Sequence, residues 1–529
     1  MYRRRLYHIV HSNYIYGMEK LHAIDREYRH LERIIAALQW DQETYLPPQG
    51  VEERAEQLAL LEGIAHRRLI EPETGKLLAE AGTSAQNPRG DESFPPLERD
   101  FLRVMRRRYD RAVKLPPDFV TASARAEGLS QAAWAAARQN NDFAAFLPHL
   151  KTMIGIARKK AEYWGFGNGS PTLYDGLLDI YEPGMGEAEI SVLFAALRDR
   201  LTALLKKIQN CAPPDTSFLK QTFPIERQAA FNQKLMDYIG FDCRRGRLDI
   251  SAHPFTTTLG TDDIRITTRY FPGNLLSGVF SVIHESGHAL YEMGFPPELR
   301  GACLADGASM AIHESQSRFW ENIIGRSRPF WDGLFPLLRD SFPEQLAGVD
   351  AEHFYRAVNE VKPSLIRVDA DEVSYSLHVI LRFELEQQLI AGTLEPENLP
   401  AAWRKKTKEY LGLEIEALSP ARSDADGVLQ DIHWSMGSFG YFPSYVLGNL
   451  YGLQFTRKLR QDIPEFENLI AAGNFGPLYN WLKDTIYCWG CRLEPAELLR
   501  KVTGEPLRAE PFLDYIEEKY GALYHIDKG

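Results

Sequence analysis

The sequence predicts a mainly α-helical protein with one small β-hairpin, and three features of its 529 residues indicate this. Apolar residues recur at spacings of three and four through most of the chain, as they do in helices with one buried face. Proline and glycine fall between these segments and mark the turns. Threonine and β-branched residues are concentrated in one segment, at 249–270.

The helices are predicted in order from this spacing. The first 240 residues read as consecutive helices, interrupted by a polar loop at 82–95, and further helices follow the β segment. The predicted helices include 18–39, 51–65, 97–113, 128–138, 143–164 and 187–209 before residue 240, and 275–293, 307–324, 351–361, 371–391, 398–410, 443–460, 476–487, 495–502 and 510–522 after it. At 249–270 the turn residues 260–263 predict a hairpin.

Composition excludes several classes of protein. The content of 44% apolar and 25% charged residues is ordinary for a globular chain. A net charge of −11 argues against nucleic acid as the main partner. No segment has the roughly 18 consecutive apolar residues that cross a membrane, and residues 1–17 lack the features of a signal peptide.

The five cysteines form no disulfide framework, because their number is odd and the chain is long. A reducing compartment fits them best, so a cytoplasmic location is expected. Cys488 and Cys491 form a C-x-x-C pair, but the chain has no second pair for a zinc ribbon and the surroundings read as helical. We interpret these two residues as incidental thiols.

A candidate metal site lies at 284–288, which reads H-E-S-G-H. Residues four apart share one face of a helix, so His284 and His288 can direct their imidazoles at one ion. Glu285 is one step round the helix, where it reaches a water without binding the ion itself. The apolar flanks predict a buried helix, and a polar network without a metal is the alternative.

A catalytic zinc site needs a third protein ligand. Glu292 is on the same face as His288 but one turn too far along the helix to share its ion. Glu314, on the next predicted helix, is the stronger candidate and would complete a set of two histidines and one glutamate. Its neighbour His313 cannot easily bind the same ion.

Further candidates stand outside this helix. His433 and Tyr445 can donate to an oxyanion, although a structural histidine fits the local sequence equally well, and Tyr441 and Tyr445 also read as core aromatics. Arg265 and Arg367 are natural receptors for a substrate carboxylate. For each arginine the alternative is an internal salt bridge, for example with Asp263 or Asp371.

Several motifs occur in order along the chain: W-D-Q-E-T at 40–44, H-P-F at 253–255, D-x-R-I-T-T at 263–268, H-E-x-x-H at 284–288, H-E-S-Q at 313–316, I-R-x-x-A-D at 366–371 and G-x-x-Q-D-x-H-W at 427–434. Together, these motifs resemble the carboxypeptidase Taq family of zinc metallopeptidases, from about residue 20 to the C-terminus. One departure is the segment 488–491, where relatives commonly have histidine and arginine.

The resemblance implies an elongated, almost wholly helical subunit with a deep groove, similar to neurolysin and angiotensin-converting enzyme and usually dimeric. Residues 1–17 would be an extension and 18–529 one domain, with two lobes around the groove. The implied activity is the release of single C-terminal residues from peptides, with broad specificity and poor action on proline. An oligoendopeptidase with the same chemistry, or a non-catalytic helical protein with a structural zinc, is the alternative.

The resemblance also implies residue roles. A metal-bound water, activated by the general base, would attack the last peptide carbonyl. The ion would be zinc, with cobalt or manganese as substitutes. The implied roles are metal binding by His284, His288 and Glu314, general base catalysis by Glu285, oxyanion stabilisation by His433 and Tyr445, and substrate binding by His253, Arg265, Tyr441 and, at the terminal carboxylate, Arg367.

Overall fold

The computed structural model describes residues 2–165 and 172–526, with side chains described from residue 16 onward. The extension predicted at 1–17 therefore lies almost wholly outside the described side chains and stays a prediction. The described chain forms 21 α-helices and one small sheet, so the prediction of a mainly α-helical fold is confirmed. Among the described residues, no helix has both the length and the apolar character needed to cross a membrane.

The helices are numbered in chain order. They are α1 (Tyr2–Thr44), α2 (Val51–Leu69), α3 (Pro72–Glu80), α4 (Pro96–Lys114), α5 (Pro117–Asn140), α6 (Phe143–Trp164), α7 (Leu173–Tyr181), α8 (Glu187–Ile208), α9 (Ile225–Ile239), α10 (Leu275–Met293), α11 (Met310–Arg318), α12 (Arg328–Ser341), α13 (Ala351–Val358), α14 (Tyr375–Ala391), α15 (Leu399–Leu411), α16 (Ile415–Leu418), α17 (Pro443–Asp462), α18 (Phe466–Ala471), α19 (Gly476–Thr485), α20 (Pro495–Thr503) and α21 (Glu510–Tyr524).

Several helices of the structure differ from the predicted ranges, and two of these differences have local reasons. Helix α12 was not predicted, because Pro336 interrupts its sequence pattern although the helix continues through it. Helix α14 begins four residues later than predicted, since the Asp371 side chain accepts hydrogen bonds from the backbone N–H groups of Val373 and Ser374. Those bonds replace the first helical turn with a side-chain-to-backbone turn.

The sheet contains the predicted hairpin and one strand more. Strands β2 (Thr256–Gly260) and β3 (Asp263–Thr268) pair antiparallel around the predicted turn. Strand β1 (Gly246–Ile250) pairs parallel with the other side of β3, so the order is β1-β3-β2. Local sequence did not predict β1 as a partner, because parallel pairing depends on a crossover and not on a turn.

The described chain packs into two compact units, each built from separate segments. The first unit comprises the residues up to Lys114, Phe223–Ala308 and Phe475–Glu494. Its core includes Phe101 and Phe231, both almost fully buried. The sheet belongs to this unit, and β2 and β3 pack against α10. The unit thus holds α10 against a rigid β surface.

The second unit comprises Leu115–Thr222, Ser309–Asn474 and Pro495–Gly529. Its core includes Trp331 and Phe383. Within it, α11 packs directly on α17. The helix that carries the H-E-S-Q motif is therefore packed against α17.

Candidate metal centre and surrounding residues

Helix α10 presents two imidazoles on one face. Its first turn is capped by Asn274, whose side chain accepts a hydrogen bond from the N–H of Ser277. The rings of His284 and His288 lie 4.9 Å apart between centroids, with their planes at 82°. His284 and His288 are half-buried, whereas 13 of the other 17 residues of the helix are buried. The helix thus presents two imidazoles on a face that is otherwise mostly buried.

Glu285 is 6% exposed and is held by the neighbouring strand. The Thr256 hydroxyl lies 2.6 Å from Oε2 of Glu285 and donates to it; the backbone carbonyl of Glu285 is farther, at 3.1 Å. Sequence reasoning did not single out Thr256, because it is one of three consecutive threonines in β2 and only the packing of the strand on α10 distinguishes it. This contact fixes the carboxylate proposed as the base.

Glu314 lies in α11, which Ser309 caps by accepting from the N–H of Ile312 at 3.0 Å. The side chain is 5% exposed. Arg318, one turn later, donates from Nε to Oε1 of Glu314 at 2.6 Å. The Ser317 hydroxyl lies 2.8 Å from the backbone carbonyl of Glu314 and 3.2 Å from Oε2. Glu314 is therefore a buried carboxylate whose orientation its own helix determines.

One ligand atom from each of His284, His288 and Glu314 lies within 4.8 Å of the other two. Two imidazole nitrogens and one carboxylate oxygen are the donor set of a catalytic zinc site, which keeps a further position open. The same donors also accept cobalt or manganese. These residues therefore fit a divalent ion.

His433, Tyr441 and Tyr445 lie together in the second unit. Nε2 of His433 is 3.1 Å from the Tyr445 hydroxyl. The Tyr441 ring is 5.3 Å from that of Tyr445 and 5.5 Å from that of His433. Nδ1 of His433 is buried and has no hydrogen-bond partner among the described residues. The three side chains thus form one cluster with a hydroxyl and an imidazole in contact.

The pKa values in this cluster favour its neutral forms. Burial, and then the Arg367 cation, lower the pKa of His433 to about 3. Burial raises the pKa of the Tyr445 hydroxyl above its ordinary value, although Arg367 opposes this, and the Glu314 carboxylate adds to the increase. Tyr445 therefore keeps its proton at neutral pH, and His433 carries a single N–H.

Arg367 is 6% exposed and pairs with Asp431, to which Nε donates at 3.0 Å. Arg382 pairs with the same carboxylate, at 2.6 Å from Nη2 to Oδ2. The salt-bridge alternative thus describes Arg367 correctly, but its partner is Asp431 and not Asp371. Nη1 of Arg367 also donates to the Tyr375 hydroxyl at 3.1 Å. The two guanidinium groups of Arg367 and Arg382 share the one carboxylate of Asp431. These three buried side chains together therefore carry an excess of positive charge.

Arg265 forms the internal salt bridge that was its alternative. Nε and Nη2 donate to the two oxygens of Asp263, each at 2.9 Å. The guanidinium also lies over the Trp40 ring, 4.3 Å from its centroid. His253 is exposed, and its backbone carbonyl accepts from the Ser251 hydroxyl at 2.6 Å. Their predicted contacts with substrate stay predictions.

All five cysteines lie among the described residues and all are unpaired. Sγ of Cys491 donates to the carbonyl of Cys303 at 3.2 Å, and Sγ of Cys488 to that of Asp484 at 3.1 Å. Both thiols of the C-x-x-C pair thus contact backbone carbonyls, and their interpretation as incidental thiols stays a prediction.

Comparison with known proteins gives a consistent result. Residues 20–520 match the family model described as "Carboxypeptidase Taq (M32) metallopeptidase". Thermostable carboxypeptidase 1 of Thermus thermophilus is 42% identical over 515 residues, which are 96% of this chain and 98% of the relative. Carboxypeptidase 1 of Bacillus subtilis is 36% identical over 520 residues, 96% of this chain and 99% of the relative.

A solved structure agrees along the same length. The crystal structure of an M32 carboxypeptidase from Deinococcus radiodurans R1 aligns with a TM-score of 0.91 at 39% identity. The alignment covers 96% of this chain and 100% of that chain. The likeness to neurolysin and angiotensin-converting enzyme stays an expectation.

Proposed function

Because this chain belongs to the carboxypeptidase Taq (M32) family of metallopeptidases, we propose that it releases single amino acids from the free C-termini of peptides. The family and its relatives make the protein a metallocarboxypeptidase that hydrolyses peptide bonds with a divalent ion. The proposal adds the identity of the ion, the roles of residues and the range of substrates.

We propose that His284, His288 and Glu314 hold a zinc ion, for which cobalt or manganese can substitute. The observation that carries this proposal is that one ligand atom of each lies within 4.8 Å of the others. When bound, such an ion acts as a Lewis acid that polarises the scissile carbonyl and lowers the pKa of water.

Glu285 acts as the general base. It takes a proton from the attacking water on its carboxylate and passes that proton to the nitrogen of the departing amino acid. The hydrogen bond of 2.6 Å from Thr256 supports this role, because it restricts rotation of the carboxylate. A base that is already oriented avoids the cost of ordering it in the transition state.

His433 and Tyr445 act together to stabilise the developing oxyanion. With its proton on Nε2, His433 donates to the Tyr445 oxygen at 3.1 Å and leaves the Tyr445 O–H to donate to substrate. The pKa of His433, lowered to about 3, supports a neutral ring, and the raised pKa of Tyr445 supports a retained proton. Tyr441 contributes substrate contacts beside them.

Arg367 receives the terminal carboxylate of the substrate. Its guanidinium shares Asp431 with Arg382, so one positive charge of the group remains for a second carboxylate. His253 and Arg265 are proposed as further contacts with peptide, although Arg265 would then do so while bonded to Asp263. No other residue is needed to explain selection for a free C-terminus.

The broader properties are part of the same proposal. We expect a wide range of terminal side chains, and poor action on proline, whose ring fixes φ and makes the scissile bond a tertiary amide. We expect a homodimer and a cytoplasmic location; the five unpaired cysteines support a reducing compartment. Peptides, and neither nucleic acid nor membrane, are the proposed partners.

One experiment tests the activity. A peptide and the same peptide with an amidated C-terminus are digested with and without a metal chelator, and the products are read by mass spectrometry. We expect stepwise loss of C-terminal residues from the free peptide, and no products from the amide or in chelator. Internal fragments from both peptides would instead show an oligoendopeptidase and refute the proposal.

A further inference from the structure

The carboxylate of Glu314 is buried and lies beside a cation on its own helix. Glu314 is 5% exposed and Arg318 9% exposed. Nε of Arg318 donates to Oε1 of Glu314 at 2.6 Å, across one turn of α11. A charge-assisted hydrogen bond of this length in a dry site has a strict geometry. The direction of the Glu314 head group therefore depends on where Arg318 stands.

Arg318 is itself fixed on two further sides. Nη1 donates to Oε2 of Glu321 at 3.2 Å. Glu321 lies in the π-helical segment Phe319–Ile324 that continues α11, and its Oε1 is 3.6 Å from Nη2 of Arg326. The face of the Arg318 guanidinium lies 4.2 Å from the centroid of the Tyr375 ring. Opposite charges thus alternate from Glu314 to Arg326, and the arginine beside Glu314 cannot swing away.

We propose that Arg318 is a positioning residue for the metal: it holds Oε1 of Glu314 and so fixes the carboxylate in the orientation in which it binds the ion. This inference rests on the proposed role of Glu314 as a ligand. Hydrogen-bond partners of ligating side chains orient them, and the loss of such a partner typically weakens metal binding about 10- to 100-fold.

A purely structural ion pair is the competing explanation. It predicts that removing Arg318 lowers stability and leaves metal affinity unchanged in the protein that remains folded. The chain offers a matched comparison in Lys519, a buried cation in the same unit that pairs with Glu372 at 2.7 Å. Replacing either cation by methionine removes one buried charge, but only Arg318 contacts the carboxylate of Glu314.

The experiment compares Arg318→Met, Arg318→Lys and Lys519→Met with the wild-type protein. Folding is checked by circular dichroism. Zinc affinity is then measured by competition with a chromophoric chelator, and the visible spectrum of the cobalt-loaded protein reports the ligand geometry. We expect Arg318→Met to lose about 10- to 100-fold in zinc affinity and to shift the cobalt spectrum. Arg318→Lys should fall between, because an ammonium lacks the fork that reaches both Glu314 and Glu321.

Lys519→Met should keep wild-type affinity and spectrum. Wild-type values for Arg318→Met would overturn the proposal. If Arg318→Met does not fold, Arg318→Lys and Glu321→Gln decide in the same way. The first replaces the guanidinium by an ammonium and the second weakens the contact that holds it, and both leave Glu314 in place. Glu314→Gln distinguishes failure of the proposed metal site from failure of the proposed role of Arg318. If Glu314→Gln binds zinc normally, the proposed metal site is wrong. If it loses zinc while the Arg318 variants do not, only the role of Arg318 is wrong.

Discussion

Gly448 of α17 lies directly against Glu314 of α11: a Cβ atom on Gly448 would be 2.7 Å from Cγ of Glu314 and 2.8 Å from its Cβ. No side chain fits at this distance, so glycine is required by the close approach of two helices and not by its backbone angles. One turn later, a Cβ atom on Gly452 would lie 3.1 Å from the carbonyl oxygen of Ser315. The aliphatic part of Glu314 is thus confined by α17, and its head group by Arg318.

Gly448→Ala is predicted to displace Glu314. The added methyl group must push the side chain or separate the helices, and overpacking of this kind costs about 1–3 kcal/mol of stability. We expect a fall in zinc affinity and in kcat that exceeds the change in KM, measured by chelator competition and by peptide hydrolysis. Gly155→Ala is the control, since Gly155 lies exposed in the middle of α6 with open space around it.

Gly155→Ala should leave activity unchanged and raise stability slightly, because alanine is the better helix former by about 1 kcal/mol. Equal losses in the two variants would show that the effect of Gly448→Ala belongs to helix stability in general. Unchanged zinc binding in Gly448→Ala would mean that Glu314 moves without consequence, which contradicts a strictly positioned ligand.

Glu285→Gln is predicted to bind zinc normally and to lose about a thousandfold or more in kcat, because an amide cannot take a proton from water. Thr256→Val should have a smaller effect on kcat, because Glu285 itself is kept. The substitution removes the hydroxyl that donates to Glu285 at 2.6 Å and leaves the side-chain volume nearly unchanged. A hydrogen bond to a charged group contributes about 1.5–3 kcal/mol, so kcat should fall roughly 10- to 100-fold.

Thr256→Ser restores the hydroxyl and should recover most of the lost rate. The measurements are steady-state kinetics on one peptide and metal content by mass spectrometry. Near-normal turnover in Glu285→Gln would exclude Glu285 as the base. If Thr256→Val and Thr256→Ser are equally slow, packing at the strand and not the hydroxyl orients Glu285.

The candidate metal ligands were identified from sequence, whereas the residues that contact the candidate site were not. His284, His288 and Glu285 follow from a spacing of four on a helix, which is local geometry that a sequence encodes directly. Thr256 lies 29 residues before Glu285 and reaches it only because β2 packs on α10. Arg318 is one turn from Glu314, so its spacing was visible, but spacing alone does not distinguish a buried ion pair from an exposed one.

In the fold, too, local features were predicted from the sequence and long-range contacts were not. Helices and the hairpin were predicted because their periods and turns are local, and the parallel strand β1 was missed because its partner is set by a crossover. Arg367 was expected to pair, if at all, with Asp371, which is near in sequence. It pairs with Asp431 instead, 64 residues away. Long-range pairing of buried charges follows from how α14 and the G-x-x-Q-D-x-H-W segment pack, which no local pattern contains.

His378 is predicted to make the protein less stable in acid. It is 1% exposed, and burial, followed by the Arg382 and Arg367 cations, lowers its pKa from 6.5 to about 3. Between these pH values the unfolded chain binds a proton that the folded chain does not, so stability falls as pH falls below about 6.5. At about 1.4 kcal/mol per pH unit, this amounts to about 2 kcal/mol by pH 5.

His378→Gln removes the titration and keeps an N–H for the carbonyl of Ser364, to which Nε2 now bonds at 3.1 Å. The apparent melting temperature, followed from about pH 8 to pH 5, should therefore fall less in His378→Gln than in the wild-type protein. His30→Gln, at an exposed position of α1, is the control and should follow the wild-type curve. Parallel curves for all three proteins would contradict the prediction.

The proposed homodimer is predicted to use the face formed by α1 and α2. Leu60 and Ile64, one turn apart in α2, are 62% and 37% exposed, and Ile34 in the adjoining helix α1 is 49% exposed. Large apolar side chains that are exposed on neighbouring helices favour burial against a partner. Leu60→Glu should therefore convert a dimer into a 60.3 kDa monomer, measured by light scattering after size exclusion.

Val192→Glu is the matched control, because Val192 is 73% exposed and lies on α8, in the other unit. It should leave the mass unchanged. A wild-type protein that is monomeric at all concentrations would exclude the homodimer. A dimer that survives Leu60→Glu would place the interface on a different surface.

Arg367→Met is predicted to abolish recognition of the terminal carboxylate while the fold is kept. Asp431 retains Arg382 as its partner at 2.6 Å, so the variant leaves no buried carboxylate unpaired. The loss of a charged hydrogen bond to substrate, about 1.5–3 kcal/mol, should raise KM roughly 10- to 100-fold.

Inhibition by N-acetylphenylalanine and by its amide measures the effect directly: the wild-type protein should prefer the acid, and Arg367→Met should not distinguish the two. Arg158→Met, which removes an arginine bonded to the carbonyls of Leu389 and Ile390, should keep the preference. If Arg367→Met also keeps it, another cation receives the carboxylate, and the excess charge around Asp431 serves the fold alone.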